Sequence, residues 1–132
     1  MSRWQAELDL ATRAAKKAGA RLRELAMGER KILSAVGHDI KTQADQDSER
    51  IILDELRGGS AWPVLAEESG EHGAAGQGAY WVVDPLDGTL NFSRGLPLYC
   101  ISIALLEGDQ PRVGVIYDLN RDEVFQGIAG EG

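Results

Sequence analysis

The sequence is short of several things. One cysteine, Cys100, among 132 residues excludes an internal disulfide and fits a reducing compartment. The two histidines, His38 and His72, sit in polar stretches with no ligand-like partner nearby, so neither is assigned any chemistry. No stretch approaches the roughly 18 consecutive apolar residues of a membrane span. The first residues lack the apolar core and cleavage site of a secretory signal. Positive charge is scarce: 14 Lys and Arg stand against 21 Asp and Glu, a net charge of −7. That balance argues against nucleic acid or an anionic membrane as a partner. A cytoplasmic protein is expected. The same deficit sets a condition on any phosphate ligand, which needs a local source of positive charge.

What is present reads as one globular domain. Apolar residues make up 43% and charged residues 27%, ordinary values for a chain that buries a core. There is no internal repeat and no low-complexity tract. Trp4, Leu8, Ala11, Ala15, Ala18, Leu22 and Leu25 recur at spacings of four and three, the apolar stripe of a helix. Arg13, Lys16, Lys17 and Arg23 fall mostly off the stripe, as a solvated face. Ser2 can cap the start and Gly28 can end it. A second helix is predicted from Gln43 to Leu56, with Ala44, Ile51, Ile52 and Leu56 buried and Gly58-Gly59 as its stop. Thr42 precedes Asp45 by three residues, the spacing of a capping box.

The remainder reads as strands. Ile32 to Val36 and Val64 to Ala66 read as short strands. Gly70 to Gly78 reads as a loop. Tyr80 to Val83 is a strand ending at Asp84. Tyr99 to Leu106 is nearly all apolar, as expected of a central strand covered on both faces. A turn at Gly108-Asp109 leads to a strand over Val113, Val115 and Tyr117. A turn at Asn120 to Asp122 leads to a last strand, Glu123 to Ile128. Two helices followed by hairpin-linked strands make an α+β fold, with the helices packed on a mostly antiparallel sheet. The final strand is expected to be left as an open edge.

Chemistry concentrates in Trp81-Val82-Val83-Asp84-Pro85-Leu86-Asp87-Gly88-Thr89-Leu90-Asn91-Phe92. An apolar strand delivers Asp84, Pro85 interrupts the ladder, and Asp87 follows three residues later. Both carboxylates can converge on one point, with the carbonyl of Leu86 between them. Oxygen donors of this kind suit Mg²⁺ or Mn²⁺ rather than zinc. Gly88 permits close backbone approach, and the N–H groups of Gly88 and Thr89 open a short helix suited to holding phosphate. Upstream, Glu67 ends another short strand and can add a third acid. Glu68 reads as structural, because adjacent side chains on a strand point opposite ways. Cys100 reads as a small core residue. Divalent cations would supply the missing positive charge and let a phosphate dianion approach.

Asp84-Pro85-Leu86-Asp87-Gly88-Thr89 with Asn91-Phe92, preceded by Glu67-Glu68-Ser69 and by Asp45 after Thr42, resembles the inositol monophosphatase family. The likeness covers most of the chain in order and spacing. It implies that Glu67, Asp84 and Asp87 bind Mg²⁺ through carboxylates and Leu86 through its carbonyl, with two or three ions. It implies that Asp45 and Thr89 orient and deprotonate the attacking water, with Glu67 also in the catalytic set. Gly88 and Thr89 would hold the phosphate. The implied activity is magnesium-dependent hydrolysis of a phosphate monoester of a small polyol or sugar, without a phosphoenzyme. Inositol monophosphate is the substrate implied by Asn91-Phe92. Fructose bisphosphate, histidinol phosphate and phosphoadenosine phosphate are the alternatives. Lithium sensitivity and a homodimer are implied by the same likeness.

Two departures stand out. Ala66 occupies a position where the family usually has Gly. No Trp-Asp motif follows Phe125, so a further metal-binding Asp and most sugar contacts are missing. The resemblance therefore implies that residues 1–132 form the N-terminal metal-binding domain, the first half of an αβαβα sandwich, with the C-terminal α/β half absent. Low metal affinity and little turnover are expected of the 132 residues alone. A haloacid dehalogenase-type phosphatase is the nearest rival, but it needs a nucleophilic Asp where Pro85 stands. A non-catalytic metal-binding or regulatory module of the same fold is the other.

Overall fold

The computed structural model describes residues 3–27, 32–36, 39–66, 70–72 and 78–131; at 32–36, 39–41 and 70–72 the description is of the backbone. In chain order the elements are α1 (Gln5–Met27), β1 (Ile32–Val36), β2 (Asp39–Thr42), α2 (Gln43–Gly59), β3 (Val64–Ala66), β4 (Gly70–His72), β5 (Ala79–Asp87), α3 (Thr89–Ser93), β6 (Cys100–Glu107), β7 (Gln110–Asp118) and β8 (Glu123–Ile128). β1 and β2 form a small antiparallel hairpin, and the other strands make one sheet in the order β4-β3-β5-β6-β7-β8. Only the β3–β5 pairing in that sheet is parallel. The α+β expectation holds, with two helices on a mostly antiparallel sheet.

Both helices lie on the same face of the sheet. The stripe of α1 is buried at Leu8, Ala11, Ala15, Ala18 and Leu22, and α2 buries Ala44, Ile52 and Leu56. Their sheet partners are Trp81 and Val83 of β5, Ile101, Ile103 and Leu105 of β6, and Val113, Val115 and Tyr117 of β7. Each such large side chain adds about 1.5–3 kcal/mol by leaving water. Small residues on α1 let the layers approach closely: a Cβ on Gly19 would lie 2.5 Å from the Tyr117 ring. Beyond that ring the Tyr117 hydroxyl donates to Asp122 Oδ1 at 2.6 Å and accepts from the Arg23 guanidinium.

The opposite face is open. Leu65 is 46% exposed, Ile116 45% and Phe125 58%. β6 is central, between β5 and β7, but it is buried on alternate residues, not on both faces as its apolar run suggests. Leu65, Ala66, Val82, Val83, Asp84, Ser102 and Ala104 line an open depression of about 540 Å³ here.

Several expected boundaries shift. β5 does not end at Asp84 but runs on through Pro85 and Leu86 to Asp87, because its ladder with β6 absorbs one extra residue of β5. The stretch read as a loop from Gly70 starts as a strand, since β4 pairs antiparallel with β3. β2 was not anticipated, and β7 begins earlier than Val113, at Gln110. Ser2, Gly28, His38 and Gly73 to Gln77 lie outside the described residues, so the caps assigned to Ser2 and Gly28 do too. Among the described residues no helix is long and apolar enough to cross a membrane.

Candidate metal centre

The two aspartates of the motif owe their relation to a β-bulge. Side chains alternate along a strand, so residues three apart ordinarily face opposite ways. Asp84 pairs with Ser102, yet Asp87 pairs with Cys100, only two residues further along β6. The extra residue on β5 restores the phase, and both carboxylates stand on the face that carries Ser102 and Cys100. That is the open face. Asp84 is half-buried and Asp87 exposed. Their common side shows at the Cys100 thiol, which burial first, and then the negative fields of Asp87, Asp84 and Asp118, push up from its ordinary value. Cys100 is half-buried beside the acids, not the fully buried core residue expected.

The carbonyls in the bulge are freed from regular pairing and take side-chain donors. Ser48, fully buried on α2, donates to the Pro85 carbonyl at 2.7 Å. Thr89 Oγ1 lies 3.2 Å from the Leu86 carbonyl and 2.9 Å from Asp45 Oδ1. The Leu86 N–H donates to Asp84 Oδ1 at 3.3 Å. Gly88 follows with φ +101, a left-handed conformation that turns the chain into α3. A Cβ there would sit 2.7 Å from the Leu98 carbonyl oxygen, so the position takes glycine on two counts. No side chain caps the start of α3, and a helix leaves its first N–H groups without internal partners.

Asp45 is 1% exposed. Its Oδ2 accepts from the Thr42 N–H at 2.8 Å and the Thr42 hydroxyl at 2.7 Å, while its own N–H donates to Thr42 Oγ1 at 3.3 Å. The capping box is therefore present, and it leaves Oδ1 to face Thr89. A buried carboxylate held by these donors has one orientation.

The structure thus brings together Asp45, Thr89 and the Leu86 carbonyl, with Asp84 and Asp87 beside them on the sheet face. Glu67, Glu68 and Ser69 lie outside the described residues. Ala66, the residue before Glu67, pairs with Val83, the residue before Asp84. Among the described residues no three Asp, Glu, His or Cys side chains gather closely enough to cage a metal ion by themselves. The donors present are oxygens throughout, which fits a hard divalent cation. Sequence reasoning missed Ser48. Its only signal is its place three residues after Asp45, on the same side of α2.

Comparison with known proteins finds relatives along nearly the whole chain. Inositol-1-monophosphatase of Synechocystis is 40% identical over 131 residues, covering 97% of this chain and 45% of that protein. Nus factor SuhB of Escherichia coli is 37% identical over 134 residues, covering 95% of this chain and 48% of that one. The crystal structure of extragenic suppressor protein suhB from Bartonella henselae superposes with a TM-score of 0.91 at 34% identity, covering 97% of this chain and 51% of that chain. The chain spans about half the length of the relatives it matches. The sequence model of the inositol monophosphatase family matches residues 4–132, which include the bulge, the Asp45–Thr89 pair and the glycine turn, and the chain belongs to that family.

Proposed function

We propose that this chain carries the metal-binding and water-orienting part of a magnesium-dependent phosphatase acting on a phosphate monoester of a small polyol, with inositol monophosphate the first candidate. The observation that carries the reading is the hydrogen bond from the Thr89 hydroxyl to buried Asp45, made beside the Leu86 carbonyl and two aspartates that a bulge turns to one face. The relative named inositol-1-monophosphatase supports the choice of substrate.

Glu67, Asp84, Asp87 and the Leu86 carbonyl would hold Mg²⁺, with Mn²⁺ an alternative. When bound there, such an ion would supply positive charge to offset the carboxylates and the phosphate dianion, and would lower the pKa of water. The rest is done by the chain itself. Thr89 Oγ1 keeps lone pairs to accept a proton from the attacking water, while its own proton passes to Asp45 Oδ1. The two Thr42 bonds hold Asp45 still during that transfer. The N–H groups of Gly88 and Thr89 would cradle phosphate oxygens at the start of α3. Lithium inhibition, a homodimer and a cytoplasmic location belong to the same proposal, as does the placement of residues 1–132 as the N-terminal domain of a longer fold.

The deciding experiment is phosphate release by the complete gene product from inositol 1-phosphate, fructose 1,6-bisphosphate and phosphoadenosine phosphate, with Mg²⁺, without it, and with Li⁺ added. Release from inositol 1-phosphate that needs Mg²⁺ and falls with Li⁺ is expected. A second reading has one observation in its favour, the relatives named Nus factor SuhB. On that reading the fold serves as a binding module. Mg²⁺ binding with no phosphate released from any of the three substrates would select it.

A further inference from the structure

We infer that Ser48 is a positioning residue for the metal centre, setting the Asp84 carboxylate through the single peptide plane between Pro85 and Leu86. The inference rests on the proposed ligand set above.

The loop has few conformational freedoms. Proline fixes φ of residue 85 near −65°, and the peptide bond that follows is planar. One soft angle remains, ψ of Pro85, and it decides where that plane points. The plane is held at both edges. Its carbonyl oxygen accepts from Ser48 Oγ at 2.7 Å. Its N–H, on the opposite edge, donates to Asp84 Oδ1 at 3.3 Å. Turning the plane would break both bonds together. The orientation of Asp84 is thereby tied to a hydroxyl on a different element.

That hydroxyl stands on a firm base. Ser48 is 0% exposed and Asp45 1%, and they sit three residues apart in the first turns of α2. Asp45 accepts from the Thr89 hydroxyl, which sits beside the next peptide oxygen, that of Leu86. One side of one helix therefore holds the Pro85 carbonyl and the Thr89 hydroxyl. A serine within a helix can return its hydroxyl to its own backbone four residues back. Ser48 gives its proton to Pro85 instead. The plain alternative is that Ser48 merely satisfies a buried carbonyl and affects stability alone.

The test compares the complete gene product with its Ser48→Ala and Ser48→Cys variants. Melting of the metal-free proteins is followed by circular dichroism, and Mn²⁺ affinity is measured by calorimetric titration. Losing an outer partner of a metal ligand typically weakens binding by about 10- to 100-fold. Ser48→Ala is expected to weaken Mn²⁺ binding in that range, so that added Mn²⁺ raises its melting temperature less than it raises the wild type's. Ser48→Cys keeps the shape, slightly enlarged, with a poorer donor, and is expected to fall between. Should Ser48→Ala fail to fold, Ser48→Cys decides. A variant that melts lower but binds Mn²⁺ as tightly as wild type would overturn the positioning role and leave the ligand set standing. Wild type that binds no Mn²⁺ would overturn both.

Discussion

At the scale of single residues, the site divides into groups that touch a ligand and groups that hold others in place. Asp87 is proposed to be of the first kind. It is exposed, so Asp87→Asn should change stability by less than about 0.5 kcal/mol. Metal-dependent phosphate release should nonetheless be abolished, as read by a phosphate assay beside an unchanged thermal melt. Retained release would mean that Asp87 is not a ligand. Gly88 also holds the chain in place, beside the phosphate contact proposed for its N–H. With φ +101 and the Leu98 carbonyl oxygen 2.7 Å from any added Cβ, Gly88→Ala should cost about 1–3 kcal/mol in urea unfolding. Asp84, Asp87, Gly88 and Thr89 were legible from sequence because their spacing is contiguous. Ser48 was not, since a serine in a helix carries no mark of the distant carbonyl it will meet. Cys100 misled, because an apolar run hides which of its residues fall at the acidic end.

At the scale of elements, α2 carries the capping box and both anchors of the loop. Thr42→Ala removes the cap and one donor to a buried carboxylate, and should destabilise by between about 1 and 3 kcal/mol. Thr42→Ser keeps both bonds and should stay near wild type; equal losses in the two variants would show that the methyl group, not the hydroxyl, matters. The contact of α1 with β7 carries a pH signature. Burial first, and then the hydrogen bond to Asp122, push the Tyr117 phenol up from its ordinary value. The folded state thus holds this proton more tightly than the unfolded chain does. Its contribution is complete below the ordinary phenol value and is lost as pH rises from there through the raised value of the folded state. Tyr117→Phe should flatten that alkaline loss in melting temperature. An undiminished slope would place its origin elsewhere. Helix stripes and strand alternation were readable because period and burial coincide. The bulge was not, because Pro85 says that the ladder is disturbed but not whether the strand stops or steps over.

At the scale of the molecule, the sheet has two unlike faces. One is sealed by helices, and the other carries the acids beside Leu65, Ile116 and Phe125. Exposed apolar area of this kind draws apolar partners. The 132-residue chain should bind anilinonaphthalene sulfonate, and the triple change Leu65→Lys, Ile116→Lys and Phe125→Lys should remove most of the signal. Strong fluorescence surviving in that variant would locate the dye elsewhere. The open face escaped sequence reading because an unbroken apolar strand such as β6 looks alike whether its second side is covered or bare. The bulge also gives the molecule an unequal vulnerability. The peptide oxygens it frees from the ladder belong to no side chain, so replacing Leu86 by another residue of its bulk leaves them in place. Only a change in the number of residues between Asp84 and Asp87 takes them away. This segment should therefore be far less tolerant of insertions and deletions than of substitutions.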